Sequence, residues 1–425
     1  MMKRRGKNPN ENPGVKPPVQ VELSEKHVGK RTVLIIVLIV LAVVGIAVAI
    51  ASALSQDDGW TTITADASNE ANCSADFIFQ YEIGRGGTSA TAEHKKVTRL
   101  YTEACRDAYR MFHADAAFED VHNLYYINRH VGEEITVPDV LYRMFELFDR
   151  TGNRLLYAAP MYTDYRNLFT VESDAATKDF DPYTNAEVAA YLREVATYVC
   201  DPGAVRVELL GEGKIRLLVS DAYRAFAAEN GITSYIDLYW MKNAFIADYL
   251  ADTLAAAGYT AGNLTSFDGY ARNLDDSGLG YSVDLFDHRG GKTYAAARLD
   301  YTGAKSMVFL RAYSISAYDE TYYTFADGTV RHAYLDVTDG LCKNALENLF
   351  AYSESLGCAE TLLHIAPVFI ADTFDVTRLD AAERAGVHSV FFEGTTLIAY
   401  DRNVTFSRLF EDESGKYTVT YREAE

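Results

Sequence analysis

The sequence predicts an α+β fold in which helices pack on mixed, largely antiparallel sheets. Segments with the apolar periodicity of helices alternate along the chain with short runs that are typical of strands. Two pairs of these strand-like runs are separated by tight-turn signals, Gly211-Glu212-Gly213 and Ala326-Asp327-Gly328. Such turns indicate antiparallel hairpins, and this favours α+β over a fold with a parallel sheet.

Five segments place apolar side chains on one face of a helix. In the first of them, Val97, Tyr101 and Cys105 recur at helical spacing. The second opens with Pro138, a residue that is common at helix starts, and the fourth stops before Gly258, a common helix end. The five predicted helices are 94–112, 138–150, 185–200, 243–257 and 356–368.

Short apolar runs between these helices are typical of strands. They are 204–210, Lys214–Val219, 281–286, 305–314, 322–325 with 330–335, 348–352 and 389–400. Residues 55–74 are polar and lack strong apolar periodicity, so the globular domain is predicted to begin near Asp76.

Residues 32–54 are 23 consecutive residues without a charged side chain. A helix rises ~1.5 Å per residue, so this segment is long enough to cross the ~30 Å core of a bilayer. A cleaved signal peptide is the alternative interpretation, but its apolar region usually has only about 7–15 residues. The sequence therefore predicts one transmembrane helix ahead of the globular domain.

Charge indicates the orientation of this predicted helix. Residues 1–31 carry eight basic and three acidic side chains, and acidic residues follow the apolar segment directly. Because basic flanks stay in the cytoplasm, we expect a single-pass protein of the cell membrane with most of the chain outside the cell. The predicted organisation is a disordered basic cytoplasmic leader (1–31), a transmembrane helix (32–54), a stalk (55–75) and an extracytoplasmic domain (76–425).

The composition of the predicted extracytoplasmic part limits its partners and its chemistry. The whole chain has a net charge of −20, and 1–31 carries +5, so 32–425 carries −25. Such a surface repels nucleic acid, so we expect no nucleic-acid partner. The chain has five cysteines and no C-x-x-C motif, so an oxidising compartment permits a disulfide that spacing alone cannot assign. It also lacks P-loop, G-x-S-x-G, H-E-x-x-H and dinucleotide-binding motifs.

The order of segments across roughly 76–410 resembles the ApbE-type FAD:protein FMN transferases. The run I-D-L at 236–238 is similar to the start of that family's D-L-G-G-I-A-K-G-Y-A-x-D motif, and Ala247-Asp248 is similar to its end. Residues 258–274 resemble the family's strand and G-G-N loop, and Ser314-Ile315-Ser316-Ala317 is similar to its A-T-S-G. Further similar segments are 123–128, 137–147, 155–161, 205–218, 333–340, 356–364 and 386–399.

This resemblance implies a fold, an activity and a set of site residues. The family consists of Mg²⁺-dependent enzymes outside the cytoplasmic membrane, which split FAD, attach FMN to a Thr or Ser of a target protein, and release AMP. By resemblance, the acceptor would be a surface protein and the metal ligands would be Glu360 and His364. The implied cofactor-binding residues are Asp237, Tyr239, Trp240, Asn243, Asp268, Gly269, Ser316 and Asp336.

The chain departs from the family pattern at residues that carry its chemistry. Two bulky rings, Tyr239 and Trp240, replace the paired glycines, and Asn243 stands in the place of the motif's lysine. His364 is a poor ligand for Mg²⁺ and a better one for softer ions, so the alternatives for this helix face are a different metal and a polar surface without a metal. Two functional hypotheses therefore follow: a flavin transferase homologue, or an inactive ApbE-like module that binds flavin or a surface partner. A third, an unrelated surface scaffold, requires the order of segments to be coincidental.

Overall fold

The computed structural model describes residues 58–66, 71–315, 319–413 and 415–424. The predicted leader and transmembrane helix lie outside the described residues. Within the described ranges, no helix has the length and apolar character that crossing a bilayer requires.

The strands are β1 (Gly59–Ile63), β2 (Phe77–Ile83), β3 (Ile135–Thr136), β4 (Val205–Gly211), β5 (Lys214–Val219), β6 (Gly262–Ser266), β7 (Tyr270–Asn273), β8 (Gly280–Arg289), β9 (Lys292–Thr302), β10 (Lys305–Arg311), β11 (Tyr322–Thr324), β12 (Val330–His332), β13 (Asn348–Ser353), β14 (His388–Glu393), β15 (Thr396–Ala399), β16 (Thr405–Leu409), β17 (Glu411–Asp412), β18 (Gly415–Lys416) and β19 (Thr418–Tyr421). The largest sheet has nine strands in the order β1-β2-β6-β7-β10-β13-β14-β15-β19. Every neighbouring pair in it is antiparallel except β15 with β19. The prediction of a mixed, largely antiparallel sheet is confirmed.

The helices are α1 (Ala90–Met111), α2 (Leu124–Arg129), α3 (Asp139–Thr151), α4 (Ala159–Tyr165), α5 (Ala186–Val199), α6 (Asp221–Glu229), α7 (Lys242–Ala256), α8 (Cys358–Phe369) and α9 (Val376–Arg384). All five predicted helices are present, as α1, α3, α5, α7 and α8. Capping explains two of their ends. The Asn185 side chain accepts hydrogen bonds from the first turn of α5, and Gly152 ends α3 with a left-handed backbone at φ 63°.

Both faces of the nine-stranded sheet are covered. Helices α7 and α8 pack on one face, against β6, β7, β10 and β13. The hairpin β8–β9, extended by β16 into a three-stranded sheet, packs on the other face. Strand β10 shows this division, because Val308 and Leu310 belong to the core on the helix side while Met307 belongs to the second core. Successive side chains of a strand point to opposite faces, and the central positions 307–310 of this doubly covered strand are all apolar.

The N-terminal boundary of the folded domain differs from the prediction. Residues 55–75 were assigned to a stalk, but Gly59–Ile63 forms edge strand β1 and pairs antiparallel with β2 from Gly59↔Ile83 to Ile63↔Phe79. The run Gly-Trp-Thr-Thr-Ile is rich in residues that favour strands and buries Ile63. A strand of five residues is too short to give a clear periodic signal, which explains why the sequence analysis was wrong here.

The turn between β6 and β7 requires glycine at position 269. Gly269 adopts φ 106°, and a Cβ atom there would lie 2.5 Å from the backbone oxygen of Phe309 in β10. The Gly269 carbonyl also accepts a 2.8 Å hydrogen bond from the Phe309 amide. The turn is therefore pressed directly against the backbone of a central strand.

We predict that Gly269→Ala destabilises the protein by about 3 kcal/mol, from the left-handed backbone and the clash with Phe309 together. Gly278→Ala is the matched control, because Gly278 also has a positive φ of 85° but a Cβ there would meet no atom within 4 Å. The control should lose only about 1 kcal/mol. Denaturant unfolding of both variants measures the difference, and equal losses would contradict the role assigned to the close approach.

Candidate functional site

A cleft of about 570 Å³ opens where the start of α7, the β6–β7 turn and the segment after β10 meet. Its wall is aromatic, and its members come from four parts of the chain: Trp240, Phe267, Tyr270, Tyr322 and Tyr334. Together with the polar residues described below, they define what we call the aromatic cleft. Its size lies within the range of roughly 300–1,000 Å³ that is typical of small-molecule sites.

Hydrogen bonds hold the aromatic wall in place. The Tyr270 hydroxyl donates to the Trp240 carbonyl at 3.1 Å, and the Tyr322 hydroxyl donates to the Arg311 carbonyl at 3.0 Å. The rings of Trp240 and Tyr334 meet edge to face, with centroids 4.8 Å apart. Four of the five aromatic side chains are thus held by contacts with neighbouring groups of the chain.

The floor of the aromatic cleft contains polar atoms that lack partners. Asn243 Nδ2 donates to Asp268 Oδ2 at 3.0 Å. The other oxygens, Asn243 Oδ1 and Asp268 Oδ1, are buried and have no hydrogen-bond partner among the described residues, and neither has Arg311 Nε. Buried polar groups are nearly always satisfied, so three unpaired polar atoms among the residues that line one cleft are unusual.

Burial also shifts the titration of the floor carboxyl. It raises the pKa of Asp268 to about 6, against the opposing effect of hydrogen bonds from Ser266 and Asn243. The pKa of nearby Asp76 is raised as well, first by burial and then by the charge of Glu320, while Lys242 and Asn243 lower it. The floor therefore holds negative charge in an environment that does not fully compensate it.

The structure brings several of the sequence-predicted residues together. Trp240, Asn243 and Asp268 line the aromatic cleft, and Gly269 completes the turn that presents Asp268. Asp237 lies nearby but faces inward. Burial raises the pKa of its carboxyl, which accepts a 3.1 Å hydrogen bond from the amide of Tyr239. Ser316 lies outside the described residues.

Tyr239 has a backbone conformation that suits glycine. Its φ is 45°, in the left-handed region, at the position where the resembled family has the first glycine of its pair. This conformation costs a residue with a side chain roughly 1–2 kcal/mol. The Tyr239 ring packs on Tyr162 at 5.1 Å between centroids, so packing offsets part of the strain. Tyr239 therefore holds a backbone conformation that glycine would reach without this cost.

Asp336 and His332 do not line the aromatic cleft, and both contact other side chains. Asp336 Oδ2 accepts a 3.0 Å bond from Lys343 Nζ, which also bonds Asp372, and Asp336 lines a different pocket. His332 is buried, with Nδ1 3.2 Å from Cys342 Sγ and Nε2 3.2 Å from Asn344 Oδ1. Burial lowers the pKa of His332 to about 4, so the ring is neutral and shielded from solvent.

Glu360 and His364 do not form a site that fits Mg²⁺. Glu360 Oε1 pairs with Arg150 Nη2 at 2.7 Å, and burial lowers the pKa of His364. In the described ranges, no group of three or more His, Cys, Asp or Glu side chains is arranged to hold a metal ion. The start of α8 is also occupied, because Asp248 accepts hydrogen bonds from the amides of Cys358 and Ala359 at 2.7 and 2.9 Å. A magnesium ion needs several free oxygen ligands, which this face does not provide.

Sequence reasoning missed the far wall of the aromatic cleft. Arg311 ends a central strand, while Tyr322 and Tyr334 belong to the β11–β12 hairpin and the residues after it. None of them stands in a recognisable motif. The one available signal was the Ala326-Asp327-Gly328 turn, which predicts the hairpin but not the surface that it covers.

The comparisons with known proteins agree with this architecture. No protein-family model matches the sequence, and no curated protein matches it significantly. The ApbE protein of Thermotoga maritima is 11% identical, covers 83% of this chain and 97% of its own, and superposes with a TM-score of 0.54. The flavin transferase ApbE from Vibrio cholerae is 12% identical, with coverages of 79% and 94% and a TM-score of 0.51.

These similarities identify the chain as an α+β protein with the fold of the ApbE flavin transferases. The resemblance inferred from the order of segments is thereby confirmed for the fold. Identity near 11% shows the fold alone, so the chemistry has to be argued from the site.

We predict that Asp268 makes stability pH-dependent. Its folded pKa of about 6 lies above the ordinary value of 3.8, so the native state holds the proton more tightly. The stability that this gives at low pH is lost as the pH rises from about 4 to about 6. The difference in unfolding free energy between the wild type and Asp268→Asn should therefore fall by about 2–3 kcal/mol between pH 4 and pH 7.

Urea unfolding at each pH measures this difference. Asp276→Asn is the control, because it removes an exposed carboxylate one strand away from the aromatic cleft. If the difference in unfolding free energy between the wild type and Asp268→Asn stays constant across the pH range, the prediction that burial raises the pKa of Asp268 is wrong.

Proposed function

We propose that this chain is a flavin-binding protein built on the ApbE flavin-transferase fold, and that the flavin ring occupies the aromatic cleft. The observation that carries the proposal is the combination of a fixed aromatic wall with unpaired polar atoms on its floor. The fold supports it, because the segments that line the cleft include those that resemble the family's flavin-binding motifs.

The chemistry of the flavin ring matches the cleft. Its face is a flat aromatic surface that stacks on aromatic side chains, and its edge alternates carbonyl acceptors with an N–H donor. Asn243 Oδ1 and Asp268 Oδ1 are buried acceptors without a partner next to the cleft, and Arg311 Nε is a buried donor without one. Phe267, which is 62% exposed at the mouth of the cleft, is placed to cover a bound ring.

Metal-dependent transfer of FMN to a Thr or Ser of a surface protein is the second candidate, favoured by the fold. Mg²⁺ would supply neutralisation of the FAD pyrophosphate in that reaction. Because Arg150 holds Glu360 and the described residues offer no metal-ligand cluster, we propose that Glu360 and His364 do not support this activity. The chain would then bind flavin without releasing AMP.

We further propose that the domain lies outside the cytoplasmic membrane. The uncharged segment 32–54 and the basic residues before it support an anchor with a cytoplasmic N-terminus. A surface protein is the partner that this location makes available. The acidic composition supports the absence of a nucleic-acid partner.

The proposed function predicts saturable flavin binding by the full-length chain in detergent, with no AMP release. The protein is titrated with FAD, FMN and riboflavin, with and without Mg²⁺ or Mn²⁺, while flavin fluorescence and AMP are followed. Phe267→Ala should weaken binding about tenfold, because a stacked aromatic contact is lost. Phe286→Ala is the matched control, since Phe286 is 41% exposed and does not line the cleft.

Three outcomes separate the hypotheses. The proposal is supported if flavin binds, Phe267→Ala weakens this binding, and no AMP is released. Metal-dependent AMP release establishes the transferase instead. Failure of all three flavins to bind sinks the flavin assignment.

A further inference from the structure

The charges that line the aromatic cleft bear on which flavin it accepts. Four acidic side chains line it, namely Asp76, Asp268, Asp319 and Glu320. Arg311 is the basic side chain among its described lining residues. Its Nη2 atom lies 3.3 Å from Asp319, so a carboxylate already neutralises part of its charge. The lining is therefore acidic on balance.

Nearby cations do not reverse this balance. Lys242 lowers the pKa of Asp76 but is absent from the lining of the cleft. Position 243, where the resembled family has lysine, carries the neutral Asn243. Even when Lys242 is counted, carboxylates outnumber cations around the cleft by two. The described residues also contain no metal-ligand cluster that would recruit a compensating divalent ion.

We infer that the aromatic cleft selects a flavin that carries no phosphate, the riboflavin class, over FMN and FAD. This inference rests on the proposed function. A phosphate adds about two negative charges at neutral pH, and like charges in a partly buried site repel strongly. Riboflavin instead carries a neutral side chain with several hydroxyl groups. Hydroxyls donate hydrogen bonds to carboxylates, so the acidic residues that repel a phosphate are suitable partners for this chain.

The selectivity is measured by equilibrium titration of the full-length chain with riboflavin, FMN and FAD, without metal, at low and high salt. We expect riboflavin to bind at least about tenfold more tightly than FMN. This difference in affinity between riboflavin and FMN, which we call the gap, should narrow at high salt because salt screens the repulsion. Glu320→Gln should also narrow it, because Glu320 is an exposed carboxylate at the edge of the cleft. Glu393→Gln, which removes an exposed carboxylate on β14, should leave the gap unchanged.

The outcomes distinguish this inference from the function on which it rests. Saturable binding in which FMN or FAD is as tight as riboflavin overturns the selectivity and leaves the flavin-binding function intact. Failure of every flavin to bind overturns both. If neither salt nor Glu320→Gln reduces the difference in affinity between riboflavin and FMN, charge is not the cause of that difference. This result would also overturn the inference.

A second, independent observation concerns two buried cysteines. Cys73 precedes β2, and Cys105 lies in α1. The Cys73 amide and its Sγ atom both donate to the Cys105 carbonyl, each at 3.3 Å. The other cysteines have different neighbours: Cys200 contacts the Val337 carbonyl, Cys342 contacts His332, and Cys358 contacts the Ala271 carbonyl. The structure thus selects one pair where spacing could not.

We propose that Cys73 and Cys105 form a disulfide when the chain folds in an oxidising compartment. An incoming disulfide, small or protein-borne, supplies the oxidising equivalents. One thiolate attacks it and forms a mixed disulfide, and the second thiolate displaces the carrier. Overall, the two cysteines lose two protons and two electrons, and the carrier is reduced to two thiols. Both residues are buried in the folded chain, so the reaction would precede the packing of α1.

The test is peptide mapping of the full-length chain, prepared from membranes, alkylated without reductant and analysed by mass spectrometry. We expect a linked peptide pair two hydrogens lighter than the free thiols. Reductant should then lower the melting temperature of the wild type by roughly 5 °C, because the bond closes a loop of about 30 residues. The Cys73→Ser/Cys105→Ser variant should show no effect of reductant. Recovery of both cysteines as alkylated free thiols would overturn the proposal.

Discussion

The contact between the β6–β7 turn and the backbone of β10 determines the geometry of the candidate site. Gly269 lies so close to the Phe309 carbonyl that no side chain fits between them. This contact fixes Asp268 opposite Asn243 at the start of α7. The same helix packs on β6 and β7, so the floor of the aromatic cleft and the core of the domain share their supports. The floor of the site is therefore supported directly by the sheet beneath it.

Around this fixed floor, the chain combines the fold of the ApbE flavin transferases with side chains that differ from the motifs it resembles. Tyr239 shows the pattern most directly, because it holds a left-handed backbone that glycine would adopt without strain. Arg150 is a second example, because it pairs with Glu360, the carboxylate that the resemblance assigns to a metal.

Local patterns predicted the elements of this fold well, and tertiary placement limited the rest. The helix at 185–200 could be located because Asn185 caps a clear apolar repeat. The β11–β12 hairpin was predicted from its turn. Neither pattern contains the information that the tyrosines around this hairpin would meet Trp240, or that Arg150 would reach Glu360. Those contacts join distant segments, and a single sequence gives no local signal for them.

The charges that line the cleft distinguish the function proposed for this protein from the reaction of the enzymes whose fold it shares. A flavin ring and a phosphate make opposite demands, because the ring needs aromatic surface and a few hydrogen bonds while the phosphate needs positive charge. The aromatic cleft meets the first demand through Trp240 and its neighbouring tyrosines, and its carboxylates oppose the second. The reaction of a flavin transferase takes place at the phosphate groups of FAD. A cleft that accepts only the flavin ring would therefore still bind flavin but would not catalyse the transfer. The carboxylates around Asp268 are therefore more informative about the proposed function than the shared fold is.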